Sequence, residues 1–234
     1  MYVRHDALVL PLWIDGHPFL TMVQEFCDVR DASGKLLRRT PLTGAGEAQA
    51  AADAARRALA AWQPLAAEAR SKLLAAAADA LDGYAAHFAG LIGEETGFAA
   101  DAAAAEVAAA VAALRAAASD CRSGEAPAVL ALVAGRDSPL AAPLARALAA
   151  LAAGATVVVK PSPHAPSALF ALAEVLAEAG FPGGVFNIVH GDEASVDGLC
   201  AASGIDAIAC VGDTKLVERV AAIAARQQRK FLAP

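Results

Sequence analysis

Positive charge is in short supply in this chain: 19 lysines and arginines face 25 aspartates and glutamates, for a formal net charge of -6. Recognition of nucleic acid or of an anionic lipid surface needs clustered cations, so neither partner is expected. Cysteine is scarce too. Cys27, Cys121, Cys200 and Cys210 never stand at two-residue spacing, and the 5 histidines are scattered. That pattern suggests neither a zinc cluster nor a disulfide framework, so no metal is implied and a reducing cytoplasm is the expected compartment. Long hydrophobic runs are missing near the start, where residues 7–14 follow Asp6 and contain Pro11. Such a run is too short to span a bilayer or to serve as a signal peptide, so no membrane is expected.

Aromatic residues make up only 5% of the chain, yet 57% of it is apolar. Much of the difference is alanine, as in Ala75–Ala78 and Ala102–Ala105. Alanine favours helix but buries little area per residue, which predicts close, shallow packing. A chain of 234 residues with this composition buries a sizeable core, as one large domain or two small ones.

Residues 8–42 read as short extended segments. The turn Asp31-Ala32-Ser33-Gly34 separates residues 26–30 from 35–38 and predicts a β-hairpin. From Glu47 to about Ala118 the texture is helical, and Pro64, Gly83 and Gly97 divide it into four helices. After a loop over 119–127 strands and helices alternate. The candidate strands are 128–134, 155–160, 185–189 and 205–211, and the helices lie near 139–153, 166–180, 193–202 and 214–226. The fold class is therefore α/β: a Rossmann-like parallel sheet of about four to five strands, with an N-terminal β-hairpin and helical layer. Residues 1–118 form the hairpin and helical layer and 119–234 the α/β unit, together one compact body. Ligands of such sheets bind at the carboxyl ends of the strands, which directs attention to 135–139, 160–164, 190–193 and 212–215.

The segments around those ends are specific. Residues 150–162 read Ala-Leu-Ala-Ala-Gly-Ala-Thr-Val-Val-Val-Lys-Pro-Ser, and 178–192 read Glu-Ala-Gly-Phe-Pro-Gly-Gly-Val-Phe-Asn-Ile-Val-His-Gly-Asp. Together they resemble the aldehyde dehydrogenase superfamily. The wording from Asn187 to Asp197, followed by Cys210-Val211-Gly212-Asp213-Thr214, looks most like its methylmalonate-semialdehyde dehydrogenase branch. The resemblance extends through Ile14-Asp15-Gly16, Arg39-Thr40-Pro41-Leu42 and Ala61-Trp62. It implies the cofactor-binding, N-terminal half of a family member about twice as long, with the reactive cysteine in the half that would follow. None of the four cysteines matches that motif, so the resemblance assigns no catalytic residue.

What the resemblance implies for the site can be followed residue by residue. Lys160 matches the lysine whose ammonium meets the adenosine ribose of the nicotinamide cofactor, with Ser162 beside it. A glutamate three residues later usually takes the ribose hydroxyls, but Pro163 stands here. A serine after the fourth-strand glycine usually meets the pyrophosphate, but Asp213 follows Gly212. A carboxylate at a helix N-terminus satisfies the amides that would hold phosphate and repels phosphate as well. Asp137, two residues before Pro139, stands where an asparagine normally donates to the oxyanion, and an ionised carboxylate cannot donate. The stretch Arg122–Pro127 is too short for the β-hairpin with which the family builds its oligomer, and the tail from Arg229 falls where its fifth strand begins.

Each residue also has a plainer reading. Asp213 is an N-cap, Gly183, Gly184 and Gly191 are turn glycines, and His164 and His190 are solvated loop histidines. The remnant cofactor site is thus Lys160, Ser162, Gly191, Gly212 and Asp213, binding NAD or NADP weakly or not at all. The leading expectation is a catalytically incompetent relative, a pseudoenzyme that binds a full-length dehydrogenase or another protein. The alternatives are the cofactor-binding subunit of a split aldehyde or CoA-acylating semialdehyde dehydrogenase, and a relic without a role.

Overall fold

The computed structural model describes residues 8–121 and 126–233. The N-terminal strands are β1 (Leu8–Val9), β2 (Leu12–Ile14), β3 (His17–Phe19), β4 (Phe26–Arg30) and β5 (Leu36–Pro41). β4 and β5 form the expected antiparallel hairpin. Its turn is tied by Asp31 Oδ1, which accepts from the backbone N–H of Ser33 at 2.9 Å and of Lys35 at 3.0 Å. β1 lies parallel to β5, completing a small three-stranded sheet.

Four helices follow: α1 (Ala45–Trp62), α2 (Ala67–Gly83), α3 (Ala85–Thr96) and α4 (Ala100–Ser119). Their breaks fall at Pro64, Gly83 and Gly97, as the sequence predicts. The alanines act as spacers that let helices approach: Ala51, Ala52, Ala54 and Ala55 of α1 are fully buried. Bulk comes from a few large residues. Trp62 stacks on Phe181 with centroids 5.2 Å apart and donates Nε1–H to the carbonyl of Leu151 at 3.2 Å. The buried guanidinium of Arg70 donates to the carbonyls of Ala152 (3.3 Å) and Leu65, so its charge is spread over backbone oxygens. α4 is long and apolar enough to cross a membrane by length and composition alone. Here Val107, Ala110, Val111 and Leu114 are buried in its packing, and Arg115 pairs with Asp82 at 2.9 Å.

The remaining elements alternate: β6 (Val129–Ala134), α5 (Ala141–Ala152), β7 (Thr156–Lys160), α6 (Ser167–Glu178), β8 (Phe186–Ile188), α7 (Glu193–Ala201), β9 (Ala207–Val211), α8 (Thr214–Arg226) and β10 (Lys230–Leu232). The large sheet has seven strands in the order β10-β9-β6-β7-β8-β2-β3. It is wider than the sequence suggests, because the β2–β3 hairpin adds an antiparallel edge through Trp13 opposite Ile188. Side chains alternate across the sheet. Leu130, Leu132, Val157 and Val159 pack beneath α5 and α6, with α2, α3 and α4 behind them. Val129, Ala131, Val133, Val158 and Ile208 face α1, α7 and α8. Because β6 lies between β7 and β9, the chain leaves β6 on one side and returns on the other. The sheet's topological switch point is therefore at the carboxyl ends of β6 and β9. The connection expected to be short, Arg122–Pro127, lies for the most part outside the described residues.

Candidate functional site

At that switch point the two strand ends nearly touch. A Cβ built on Gly135 would stand 2.9 Å from Cα of Gly212, so two side-chain-free residues let the backbones close at the head of the sheet. Beside them opens a crevice of about 420 Å³, which runs between the strand ends and the helices α7 and α8. Its apolar wall is Val133, Val196, Leu216, Val220 and Ile223. Three of these, Leu216, Val220 and Ile223, recur at helical spacing along one face of α8. Its charged lining is balanced, with Arg136, Lys160, Lys215 and Arg219 against Asp137, Asp192, Glu193 and Asp213.

Lys160 closes β7 and is 4% exposed, although it lines the crevice. Its ammonium donates to the carbonyl of Pro161 at 3.3 Å. Among the described residues no carboxylate is within ion-pairing distance of it. Burial brings its pKa down to about 8, against a smaller opposing pull from Asp192. Ser162, also buried, accepts from the N–H of His164 at 3.3 Å and so shapes the turn after Lys160. Pro163 lines the crevice three residues on and offers no acceptor side chain.

The helix N-termini at this edge of the sheet are occupied by the chain's own carboxylates. Asp213 caps α8, its Oδ1 accepting from the N–H of Leu216 at 2.7 Å. Asp192 caps α7, accepting from Ala194 N–H at 2.9 Å. At α5 the carboxylate comes from another helix: Glu106 Oε1 accepts from the N–H groups of Leu140 (3.1 Å) and Ala141 (2.9 Å) and from Ser138 Oγ (2.6 Å). At α6, Glu95 accepts from Ser167 N–H at 3.0 Å and lies 3.3 Å from Arg38; burial raises its pKa. Sequence reasoning found Asp213 but missed Glu95 and Glu106, which lie 72 and 34 residues from backbone groups they cap. No local pattern connects them.

The structure gathers Lys160, Ser162 and Asp213 around the crevice, whereas Gly191 and Gly212 do not line it. Gly191 has φ +131 and packs on Ser195; a Cβ there would collide with that hydroxyl and stand 3.1 Å from Thr43 N. His190, expected as a solvated loop histidine, is instead 2% exposed. Its Nε2 is 3.0 Å from the carbonyl of Pro11, and its own carbonyl accepts from Thr43 and Ser195. Burial lowers its pKa to about 3, so it is a neutral clasp that holds the N-terminal strand to the sheet. His164 is exposed on the crevice rim, as is Asp137.

None of the four cysteines lines the crevice. Burial pushes the thiols of Cys200 and Cys210 up to about 11, and it raises that of Cys27 too. Cys121 lies at the end of α4, its Sγ 3.5 Å from the carbonyl of Ala152, so it is beside the end of α5 remote from the crevice. A thiol held protonated is a poor nucleophile. Among the described residues no group of three or more histidine, cysteine or acidic side chains could hold a metal ion.

Comparison with known proteins settles the ancestry of this arrangement. The model of the aldehyde dehydrogenase family matches residues 21–233. The chain belongs to the aldehyde dehydrogenase family. It is similar to the malonate-semialdehyde dehydrogenase of Pseudomonas aeruginosa, with 32% identity over 220 residues that cover 86% of this chain and 44% of that protein. Among solved structures, an aldehyde dehydrogenase variant from Pseudomonas syringae, complexed with NAD+ and octanal, superposes with a TM-score of 0.88 at 27% identity. That match covers 99% of this chain and 50% of the other. A methylmalonate-semialdehyde dehydrogenase structure from Sinorhizobium meliloti shares the fold at 22% identity, with a TM-score of 0.89 over 98% of this chain and 51% of its own. The chain thus spans about half the length of the relatives it matches. The α/β fold with its helical layer is consistent with the family's cofactor-binding domain, and the structural match takes in nearly all of this chain.

Proposed function

We propose that this chain is a non-oxidising member of the aldehyde dehydrogenase family whose crevice takes the adenosine end of NAD or NADP weakly. The residues fit part of that ligand. The wall of Val196, Leu216, Val220 and Ile223 suits a flat heteroaromatic ring, and Lys160 supplies a buried donor for a ribose hydroxyl. They fit the rest poorly, since Pro163 provides no ribose acceptor and the caps Asp192 and Asp213 occupy helix-end amides that suit a pyrophosphate. The observation that carries the reading is the capping of α5, α6, α7 and α8 by Glu106, Glu95, Asp192 and Asp213. When bound, the dinucleotide would supply hydride-acceptor chemistry. None of the chain's thiols lines the crevice to use it, burial raises the pKa of Cys27, Cys200 and Cys210, and Asp137 cannot donate to an oxyanion when ionised.

Calorimetric titration with NAD and NADP, together with an aldehyde oxidation assay with and without coenzyme A, tests this reading. The expected result is weak binding and no cofactor reduction by the 234-residue chain. Tight binding, or turnover of an aldehyde, overturns it.

A second reading is favoured by the retained Lys160: this chain serves as the nicotinamide-binding part of a split aldehyde or semialdehyde dehydrogenase, another polypeptide supplying the thiol. A full-length family member is the first candidate partner under the first reading; the split enzyme needs instead a chain that carries the thiol-bearing half. Leu20 and Met22, 85% and 97% exposed, offer an apolar contact surface. Native co-purification separates the two: the split enzyme requires a cysteine-bearing partner whose addition restores turnover.

A further inference from the structure

We propose that Lys160 is a site of reversible covalent modification, its ε-amine condensing with the carbonyl of a phosphate-bearing aldehyde whose anion is met by Lys215 and Arg219. The inference goes beyond nucleotide binding, although it uses the same crevice. Three features carry it. The amine is nearly sealed from bulk water, yet it borders a space of about 420 Å³, enough for a small ring and its substituents. Its described hydrogen bond is a 3.3 Å contact to the carbonyl of Pro161, and among the described residues no carboxylate pairs with it. The amine is therefore not locked in an ion pair, as Arg38, Arg39 and Arg56 are. Finally, Lys215 and Arg219 stand one turn apart on α8 and line the same crevice, where they offer two cations to a phosphate without drawing on the helix-end amide that Asp213 fills.

The chemistry balances without a further reactant. The amine nitrogen attacks the carbonyl carbon, the C–N bond forms, and the carbonyl oxygen leaves as water with the two amine protons. The apolar wall disfavours the returning water, and Asp192, which also lines the crevice and favours positive charge at Lys160, suits the iminium when the product is protonated. With its pKa near 8, about half of Lys160 is neutral at that pH, against roughly one part in a few hundred for an ordinary lysine.

Pyridoxal 5′-phosphate is the probe, with borohydride reduction of the imine to a stable secondary amine and mass mapping of the labelled peptide. At pH near 8 the first adduct is expected on Lys160, labelled about tenfold or more faster than Lys35, Lys72, Lys215 or Lys230. The double substitution Lys215→Met/Arg219→Met is expected to slow labelling of Lys160 by the phosphorylated probe about tenfold, while labelling by pyridoxal, which lacks the phosphate, stays unchanged. Even labelling of all five lysines, or none at Lys160, overturns the proposal, as does equal slowing of both probes. Added NAD tests the other reading separately. If Lys160 is labelled but saturating NAD fails to protect it, the capture stands and the nucleotide assignment falls. If calorimetry shows NAD binding while Lys160 stays unlabelled, the reverse holds.

Discussion

Gly135 and Gly212 meet backbone to backbone at the head of the sheet: a Cβ on the first would lie 2.9 Å from Cα of the second. The contact joins the ends of β6 and β9, the two strands between which the topology reverses, and the N–H of Gly135 also donates to the carbonyl of Val211 at 2.7 Å. A methyl group at Gly135 would press on backbone, which cannot swing aside as a side-chain end does. Gly135→Ala is therefore expected to cost about 1–3 kcal/mol in denaturant unfolding. Wild-type stability in this variant would show that the strand ends have room to part.

His190 predicts an acid sensitivity. Its pKa falls from 6.5 unfolded to about 3 folded, so between those values the unfolded chain binds a proton that the folded chain does not. This contribution to stability is full above 6.5 and declines as pH falls towards 3, by up to about 1.4 kcal/mol per pH unit. His190→Gln keeps a donor for the Pro11 carbonyl but removes the titration. The variant should be less stable at neutral pH, having lost the ring that packs 6.4 Å from Phe170, yet show a shallower loss between pH 6 and 4. Parallel stability curves for the two proteins would remove the clasp from the account.

Much of this fold is legible in the sequence because its signals are local. Val157-Val158-Val159 reads as a buried strand, and Pro64, Gly83 and Gly97 mark helix breaks that the structure places within a residue or two. The β2–β3 edge was not legible in the same way. Its strands are three residues long, and β2 is placed by non-local contacts with β8 and its flanks: the pairing of Trp13 with Ile188, Asp15 N–H with Asn187 Oδ1, and Pro11 with His190. The site divides along the same line. Lys160 and Asp213 are strand-end and helix-cap residues, read directly from their neighbours. Glu106 reaches α5 from another helix, and the burial of His190 depends on Pro11, 179 residues away. Such contacts are set by tertiary packing, which no short window encodes.

Lys160 predicts a gain of stability with alkali. Its pKa is about 8 folded and 10.5 unfolded, so between these values the unfolded chain holds the extra proton. The cost of burying the ammonium is complete below pH 8, fades as pH rises, and is gone above 10.5; the whole amounts to a few kcal/mol. Cys200 and Cys210 act in the opposite sense, since thiols raised from 9.0 to about 11 destabilise the fold as pH climbs through that range. The difference between wild type and Lys160→Met cancels Cys200 and leaves of Cys210 only the part that Lys160 itself exerts on that thiol. That difference should shift in favour of wild type from pH 8 to 10, and a flat difference would mean that Lys160 is hydrated.

Asp213 offers the sharpest test of the crevice, because its carboxylate has two effects that one substitution separates. It caps α8 through Leu216 N–H, and it places a negative charge where the resemblance puts a pyrophosphate. Serine is as good an N-cap as aspartate, so Asp213→Ser should leave helix stability within about 0.5 kcal/mol of wild type. The same change removes the repulsion and supplies a hydroxyl donor to phosphate. Calorimetry should show NAD binding strengthened by about 1 kcal/mol, roughly fivefold, with the larger gain at low salt, where exposed charges are least screened. Asp213→Asn, which removes the charge and retains a cap, should recover most of the gain if repulsion dominates and little of it if the hydroxyl does. Unchanged affinity in both variants would mean that phosphate does not approach this helix end, and the weak binding would then have to be traced to Pro163 and the lost ribose acceptor.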